Sequence, residues 1–359
     1  MGHVLFTGFP GFIGARLLPR LLELCPETTF HCLVQERFVA AAHDSLREMM
    51  RRHPEAQARI AVVVGDITLP GLGIEESARR TLQETLTGAY HLAAVYDLAV
   101  KREIGQRINV EGTRQVLAFL AEAKHLERLH YVSTAYVAGN ATGVFRETDL
   151  DRGQSFKNYY EETKFLAEVE VVKTGLPTTI YRPAIVVGDS RTGETGKFDG
   201  PYFTLTAMKK VPSGLFLRVG SGRRPVNLVP VDFVLEGLAR LSTIEGSRGK
   251  TYHLTDPAPV TAFEIARLFA AALGKRFLYV PIPTSVAKLL LAPKFVQRFL
   301  GMPAQTLDYF DYPCSFDATQ ATADLGPLGI TCPRFPDYVG RLVDFYLARQ
   351  GSVRREAMV

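Results

Sequence analysis

Thr7-Gly8-Phe9-Pro10-Gly11-Phe12-Ile13-Gly14 stands directly after the apolar run His3-Val4-Leu5-Phe6 and directly before an amphipathic helical segment, residues 13–24. Strand, glycine turn and helix, in that order, are the setting in which such a turn holds a dinucleotide. Glycines let the backbone turn tightly and approach a pyrophosphate, which rests on the helix N-terminus. The spacing is G-x-x-G-x-x-G rather than G-x-G-x-x-G. A tight strand–helix turn without a ligand is the plain alternative, and the rest of the chain decides between the two.

Outward from the turn, strand patterns recur at residues 29–34, 59–64, 89–94, 129–133 and 177–181. Helical periodicity fills the gaps at 40–52, 75–86, 105–123 and 159–173. This alternation predicts an α/β fold of the Rossmann type, a doubly wound parallel sheet covered on both faces, with ligands at the carboxyl ends of its strands. Residues 1–188 are expected to form an NAD(P)-binding domain and 189–359 a smaller substrate lobe, with 225–254 returning to the sheet. In that lobe Gly, Pro and basic residues cluster at 189–200 and 219–225, and helical patterns follow at 230–243, 261–273, 283–300 and 335–349. The polar tail, 350–359, is expected to fray.

A hydrophobic fraction of 47% is ample for a sizeable core, and 359 residues suit two lobes better than one compact unit. The net charge of +5 is mild and its cations read as scattered, so nucleic acid is not expected as a partner. Cys25, Cys32, Cys314 and Cys332 form no close ligand pairs and suit a reducing cytoplasm. No leader is expected before the first strand, and no apolar run reaches the roughly 20 residues that span a bilayer. No histidine cluster has metal-ligand spacing and no Ser-His-Asp set is visible, so no metal site or hydrolase is expected.

Tyr160-Glu-Glu-Thr-Lys164 carries the chemistry. Four residues apart on a helix, Tyr160 and Lys164 share a face, and an ammonium held there favours the phenolate. A tyrosine so tuned exchanges a proton near neutral pH. An exposed helical pair is the bland reading.

With the glycine turn, these residues resemble an extended short-chain dehydrogenase/reductase. His91-Leu-Ala-Ala94, Asn109-Val-Glu-Gly-Thr113, Tyr131-Val-Ser-Thr-Ala-Tyr-Val137, Tyr160 to Glu168 and Tyr181-Arg-Pro-Ala-Ile-Val186 sharpen the likeness. Together, across residues 1–260, they resemble the reductase domain of fatty acyl-CoA reductases and related thioester reductases. The resemblance implies Tyr160 as proton donor to the substrate carbonyl and Lys164 as holder of the nicotinamide ribose. It implies Thr134, rather than Ser133, as the hydroxyl that binds the substrate oxygen. It further implies a cofactor site formed by Gly8 to Gly14 (with Phe9, Pro10, Phe12 and Ile13), Ile67, Ala93, Ala94, Ser133, Arg182 and Pro183. Asn109 either anchors the catalytic helix or caps a helix. Asp66 either meets the adenine amino group or serves a turn.

Cofactor choice turns on Leu33-Val34-Gln35-Glu36-Arg37. An acidic residue there would bind the ribose 2′-hydroxyl of NAD, and an arginine the phosphate of NADP. Arg37 and the resemblance favour NADP; Glu36 keeps NAD open. The run 285–300 is apolar with interspersed cations: either two core-packed helices broken at Pro293, or a lid over a lipophilic substrate in peripheral contact with a membrane. Tyr309, Phe310 and Tyr312 are read as pocket or core. The expected activity is reduction of a carbonyl or acyl thioester, the substrate being acyl-CoA or a carrier-bound thioester; a homodimer is left open. A 3β-hydroxysteroid or dihydroflavonol-type dehydrogenase, a sugar-nucleotide epimerase and a non-catalytic nucleotide-binding scaffold are the competing readings.

Overall fold

The computed structural model describes residues 2–300, 304–309 and 312–350; Phe310 and the tail 351–359 lie outside them. Seven parallel strands form the main sheet in the order Thr251–Leu254, Thr178–Pro183, Arg128–Val132, Leu86–His91, Gly2–Thr7, Thr28–Val34, Ile60–Val64. Successive side chains of a strand face opposite ways. Leu5 and Ala89 therefore join the core on one face, under the helices Gly112–Ala121 and Tyr159–Lys173, while Phe6 and Tyr90 join the other. That second face is covered by Gly14–Leu24, through Leu17, Leu18 and Leu21, and by Val231–Thr243, through Val234 and Leu238. The fold is the doubly wound α/β sheet that the alternation predicts.

Some details follow the sequence reading and others differ from it. The fourth strand ends at His91, not Ala94, because the Thr7 hydroxyl accepts the N–H groups of Leu92 and Ala93 and turns the chain away from the sheet. The helix expected at 105–123 starts at Arg102, passes through a π-helical stretch, Gln106–Glu111, and continues as Gly112–Ala121. The strand Thr251–Leu254 pairs with Thr178–Pro183 at the sheet edge. A parallel two-stranded ribbon, Gly214–Val219 with Phe277–Ile282, goes unseen in the sequence. Pro281 sits in its second strand, and a proline within a run argues against a strand unless that strand is an edge. The run at 283–300 is two helices, Thr284–Leu291 and Lys294–Leu300, separated at Pro293.

All four cysteines are free. Among the described residues no helix is long and apolar enough to cross a membrane.

Candidate active site

Each glycine of the turn has a steric reason to lack a side chain. Gly8 has φ +93°, and a Cβ there would lie 2.9 Å from Leu92 Cβ. A Cβ on Gly11 would come within 2.7 Å of the Gly8 carbonyl oxygen, and one on Gly14 within 2.5 Å of the same atom. The Gly11 N–H donates to that oxygen at 2.9 Å and closes the turn. No side chain caps the helix Gly14–Leu24, and its first turn holds no acidic residue. A helix start left open in this way suits an anion, so these residues fit a dinucleotide pyrophosphate.

The turn opens on a cleft of about 630 Å³ at the carboxyl ends of the strands. Residues Gly8 to Gly14 line it, as do Ile67, Ala93, Ala94, Pro183, Ser133, Thr134, Tyr160 and Lys164. Thr134 lies two residues past the strand Arg128–Val132 and caps the short helix Ala135–Ala138. Its hydroxyl donates to Pro183 O at 3.4 Å and accepts from the Tyr136 N–H at 3.3 Å, and Tyr160 lines the same cleft. Tyr160 sits in the first turn of the helix Tyr159–Lys173, whose start is capped by Asn158 accepting from the Glu161 N–H at 3.0 Å. Tyr309 closes this end, its phenol donating to Glu161 Oε1 at 2.7 Å. The structure thus places Tyr309 among the lining of the cleft, whereas Tyr312 is buried in a neighbouring aromatic cluster.

The electrostatics differ from the expectation of an ammonium-tuned tyrosine. Burial pushes the Tyr160 phenol well above the usual range, and Thr134 only partly opposes it. Lys164 Nζ donates to Tyr131 Oη at 3.0 Å and to Val132 O at 2.9 Å. The strand, not the Tyr160 phenol, holds the ammonium. Burial draws Lys164 down to about 8, against the attraction of Glu168.

Four predicted residues do not line the cleft. Arg182 is buried in an ion pair with Glu168, Nη2 to Oε1 at 2.5 Å, and also meets His253 Nε2 at 3.2 Å. The Ser133 hydroxyl donates to the same carboxylate, so although Ser133 lines the cleft its donor points into this network. Asn109 caps no helix; it accepts from the Val95 N–H at 2.8 Å and donates to Thr163 Oγ1 at 3.0 Å, tying the loop after the fourth strand to the helix Tyr159–Lys173. Asp66 accepts from Thr68 N–H and Oγ1 and from Gln35 Nε2. Arg37 Nε donates to Gln35 Oε1 at 2.9 Å, and its guanidinium lies over the Phe38 ring.

Other lining residues escape the sequence reading. Arg16, two positions past Gly14, lines the cleft, pairs with Glu194 and covers the Phe12 ring. Tyr96 meets Tyr160 edge to face, ring centroids 5.1 Å apart. Asp199 lines the cleft with its carboxyl raised by burial, against the attraction of Lys197. No local pattern marks these positions, because distant segments bring them together. None of the residues of the two helices at 284–300 lines the cleft. No group of three or more potential metal ligands occurs among the described residues.

The chain matches the NAD-binding family described as male sterility protein over residues 6–238. It is 31% identical over 290 residues to a linear gramicidin synthase of Brevibacillus parabrevis, covering 76% of this chain and 5% of that protein. Over 273 residues it is 28% identical to fatty acyl-CoA reductase wat of Drosophila melanogaster, covering 66% of this chain and 53% of that protein. The chain therefore spans about half, or far less, of these relatives. Among solved structures, the terminal R domain from the myxalamid PKS-NRPS biosynthetic pathway superposes with a TM-score of 0.81 at 28% identity, over 99% of this chain and 92% of that one. The chain belongs to the male sterility protein family, within the extended short-chain dehydrogenases/reductases, which are NAD(P)-dependent oxidoreductases.

Proposed function

We propose that this member of the male sterility protein family uses NADPH to reduce the carbonyl or acyl thioester of a lipophilic substrate, Tyr160 giving the proton. The single observation that carries this reading is that Thr134, Tyr160 and Lys164 line one cleft with a glycine turn shaped for a dinucleotide. The nicotinamide, when bound, supplies the hydride. Negative charge then grows on the substrate oxygen, and donors already aimed at that point stabilise it without reorganising. A buried phenol that keeps its proton at neutral pH suits a donor in the reductive direction. Thr134 rather than Ser133 is the partner, because Ser133 donates to Glu168. Lys164, held by Tyr131 and Val132, stands ready for the ribose hydroxyls.

A lipophilic substrate is favoured by the cleft walls, which include Val95, Leu98, Ile185, Val226, Leu228 and Ile265. An acyl thioester, from acyl-CoA or from a carrier, is favoured by the names of the relatives. Hydride on its carbonyl carbon and a proton on oxygen give a hemithioacetal, which expels the thiol and leaves an aldehyde. NADP over NAD rests on Gln35, not an acidic residue, lining the cleft at the end of the second strand, with Arg16 lining it too and Arg37 adjoining Gln35.

The test is the loss of reduced-nicotinamide absorbance with long-chain acyl-CoA, fatty aldehyde or a steroid ketone. Turnover of the acyl-CoA or aldehyde is expected, and Tyr160→Phe is expected to remove it while cofactor affinity stays nearly intact. A variant keeping over about half its rate would contradict the proton-donor role, since general acids contribute about 10²–10⁴-fold.

A further inference from the structure

Among the described residues that line the cleft, Asp199 is the one acid, against the cations Arg16, Lys164 and Lys197. Two of those cations are engaged elsewhere, Arg16 by Glu194 and Lys164 by Tyr131 and Val132. Lys197 sets its ammonium 5.6 Å from the centroid of the Tyr96 ring, and that ring meets Tyr160 edge to face. Asp199 stands two residues beyond Lys197. The phenols of Tyr96 and Tyr160 are raised first by burial, and the Asp199 charge adds to the rise in each. The carboxyl therefore belongs to the reactive end of the cleft.

The plain role for an aspartate here is to cap the helix Pro201–Lys210, yet no side chain caps that helix. The backbone carbonyl of Asp199, not its carboxyl, accepts the Tyr202 N–H at 3.0 Å. Among the described residues the carboxyl forms no ion pair; it takes its own N–H and feels Lys197 from a distance. Burial above all, and the neighbouring Asp97 charge, bear against its ionised form. It is an acceptor set among apolar walls, and such a group is costly to leave without a donor.

We propose that Asp199 selects substrates that carry a hydroxyl or amino group on the carbons next to the reacting carbonyl, over plain acyl chains of equal length. The inference rests on the reductase reading and names the substrate class within it. With the carbonyl oxygen given to Thr134 and Tyr160, a donor on the adjoining carbons is the substrate group left for Asp199. A plain acyl chain offers no donor and shuts the carboxyl away unpaired, the situation in which a polar site rejects an analogue most strongly. Lys197 does not stand in for that donor, because its ammonium lies over Tyr96.

The experiment compares decanoyl-CoA with its α-hydroxy, β-hydroxy and β-amino counterparts, following loss of reduced-nicotinamide absorbance. In the wild type, kcat/KM for the best donor-bearing substrate is expected to exceed that for decanoyl-CoA by about tenfold or more. Asp199→Leu should bring the two to parity. Asp199→Asn keeps an acceptor oxygen but no charge, so it should retain part of the preference for hydroxyl and lose that for amino. Circular dichroism and NADPH affinity like those of the wild type show that both variants fold. Equal kcat/KM for all these substrates in the wild type, or a preference that survives Asp199→Leu, overturns the inference and leaves the reductase reading standing. If neither these substrates nor a fatty aldehyde is reduced, the reductase reading fails and this inference fails with it.

Discussion

Lys164 shows how far a single residue's surroundings depart from its place in a motif. Spacing alone brings it to the face of Tyr160, yet its ammonium is taken by Tyr131 and Val132 and its proton affinity is lowered by burial to about 8. The sign of the resulting pH effect follows from linkage. Between about pH 8 and the ordinary lysine value near 10.4, the unfolded chain holds a proton that the folded chain has released. Stability therefore rises with pH across that window, by up to ~1.4 kcal/mol per pH unit for this group. In Lys164→Met that increment disappears. Denaturant unfolding of the cofactor-free protein at about pH 7.5 and about pH 9.5 should show wild type gaining on the variant at the higher pH. A difference that stays constant would mean that the ammonium is not desolvated.

At the scale of elements, the glycine turn is the most local feature and the most readable. Its glycines face one another, with the Gly8 carbonyl oxygen blocking a side chain at both Gly11 and Gly14. Gly11→Val is expected to abolish NADPH binding by calorimetry, because its Cβ would come within 2.7 Å of the Gly8 carbonyl oxygen, with far-UV dichroism still that of an α/β protein. Unchanged affinity would refute the placement of the pyrophosphate. The helices Gly14–Leu24 and Tyr159–Lys173 are legible in the sequence because periodicity and capping are local. The end of the fourth strand is not. Leu92-Ala93-Ala94 is as apolar as the strand before it, and the stop comes from Thr7, 85 residues from Leu92. The ribbon fails for a similar reason, since its strands find each other only across the lobe. Among the expected site residues, Thr134 and Tyr160 line the cleft, whereas Arg182 is bonded to Glu168 and Asp66 to Thr68 outside its lining.

Across the whole molecule, the Glu168–Arg182 pair is the centre of a buried polar network that binds distant parts of the chain. Ser133 donates to Glu168; Arg182 reaches His253, whose ring bonds to Asp317 O at 2.6 Å. Glu147 accepts from the backbone N–H groups of His253, Gln320 and Ala321. Glu168→Gln keeps the shape but strands the guanidinium without its counter-charge, so a loss of about 3–5 kcal/mol is expected in denaturant unfolding. A loss under about 1 kcal/mol would show that water reaches the pair. The same long reach sets the order in which the fold can be completed. While the ribosome has yet to deliver Thr251–Leu254, the backbone groups along one side of Thr178–Pro183 have no seventh strand to take them. A nascent chain stalled before that point carries an open sheet border, the kind of surface chaperones shield and aggregates recruit.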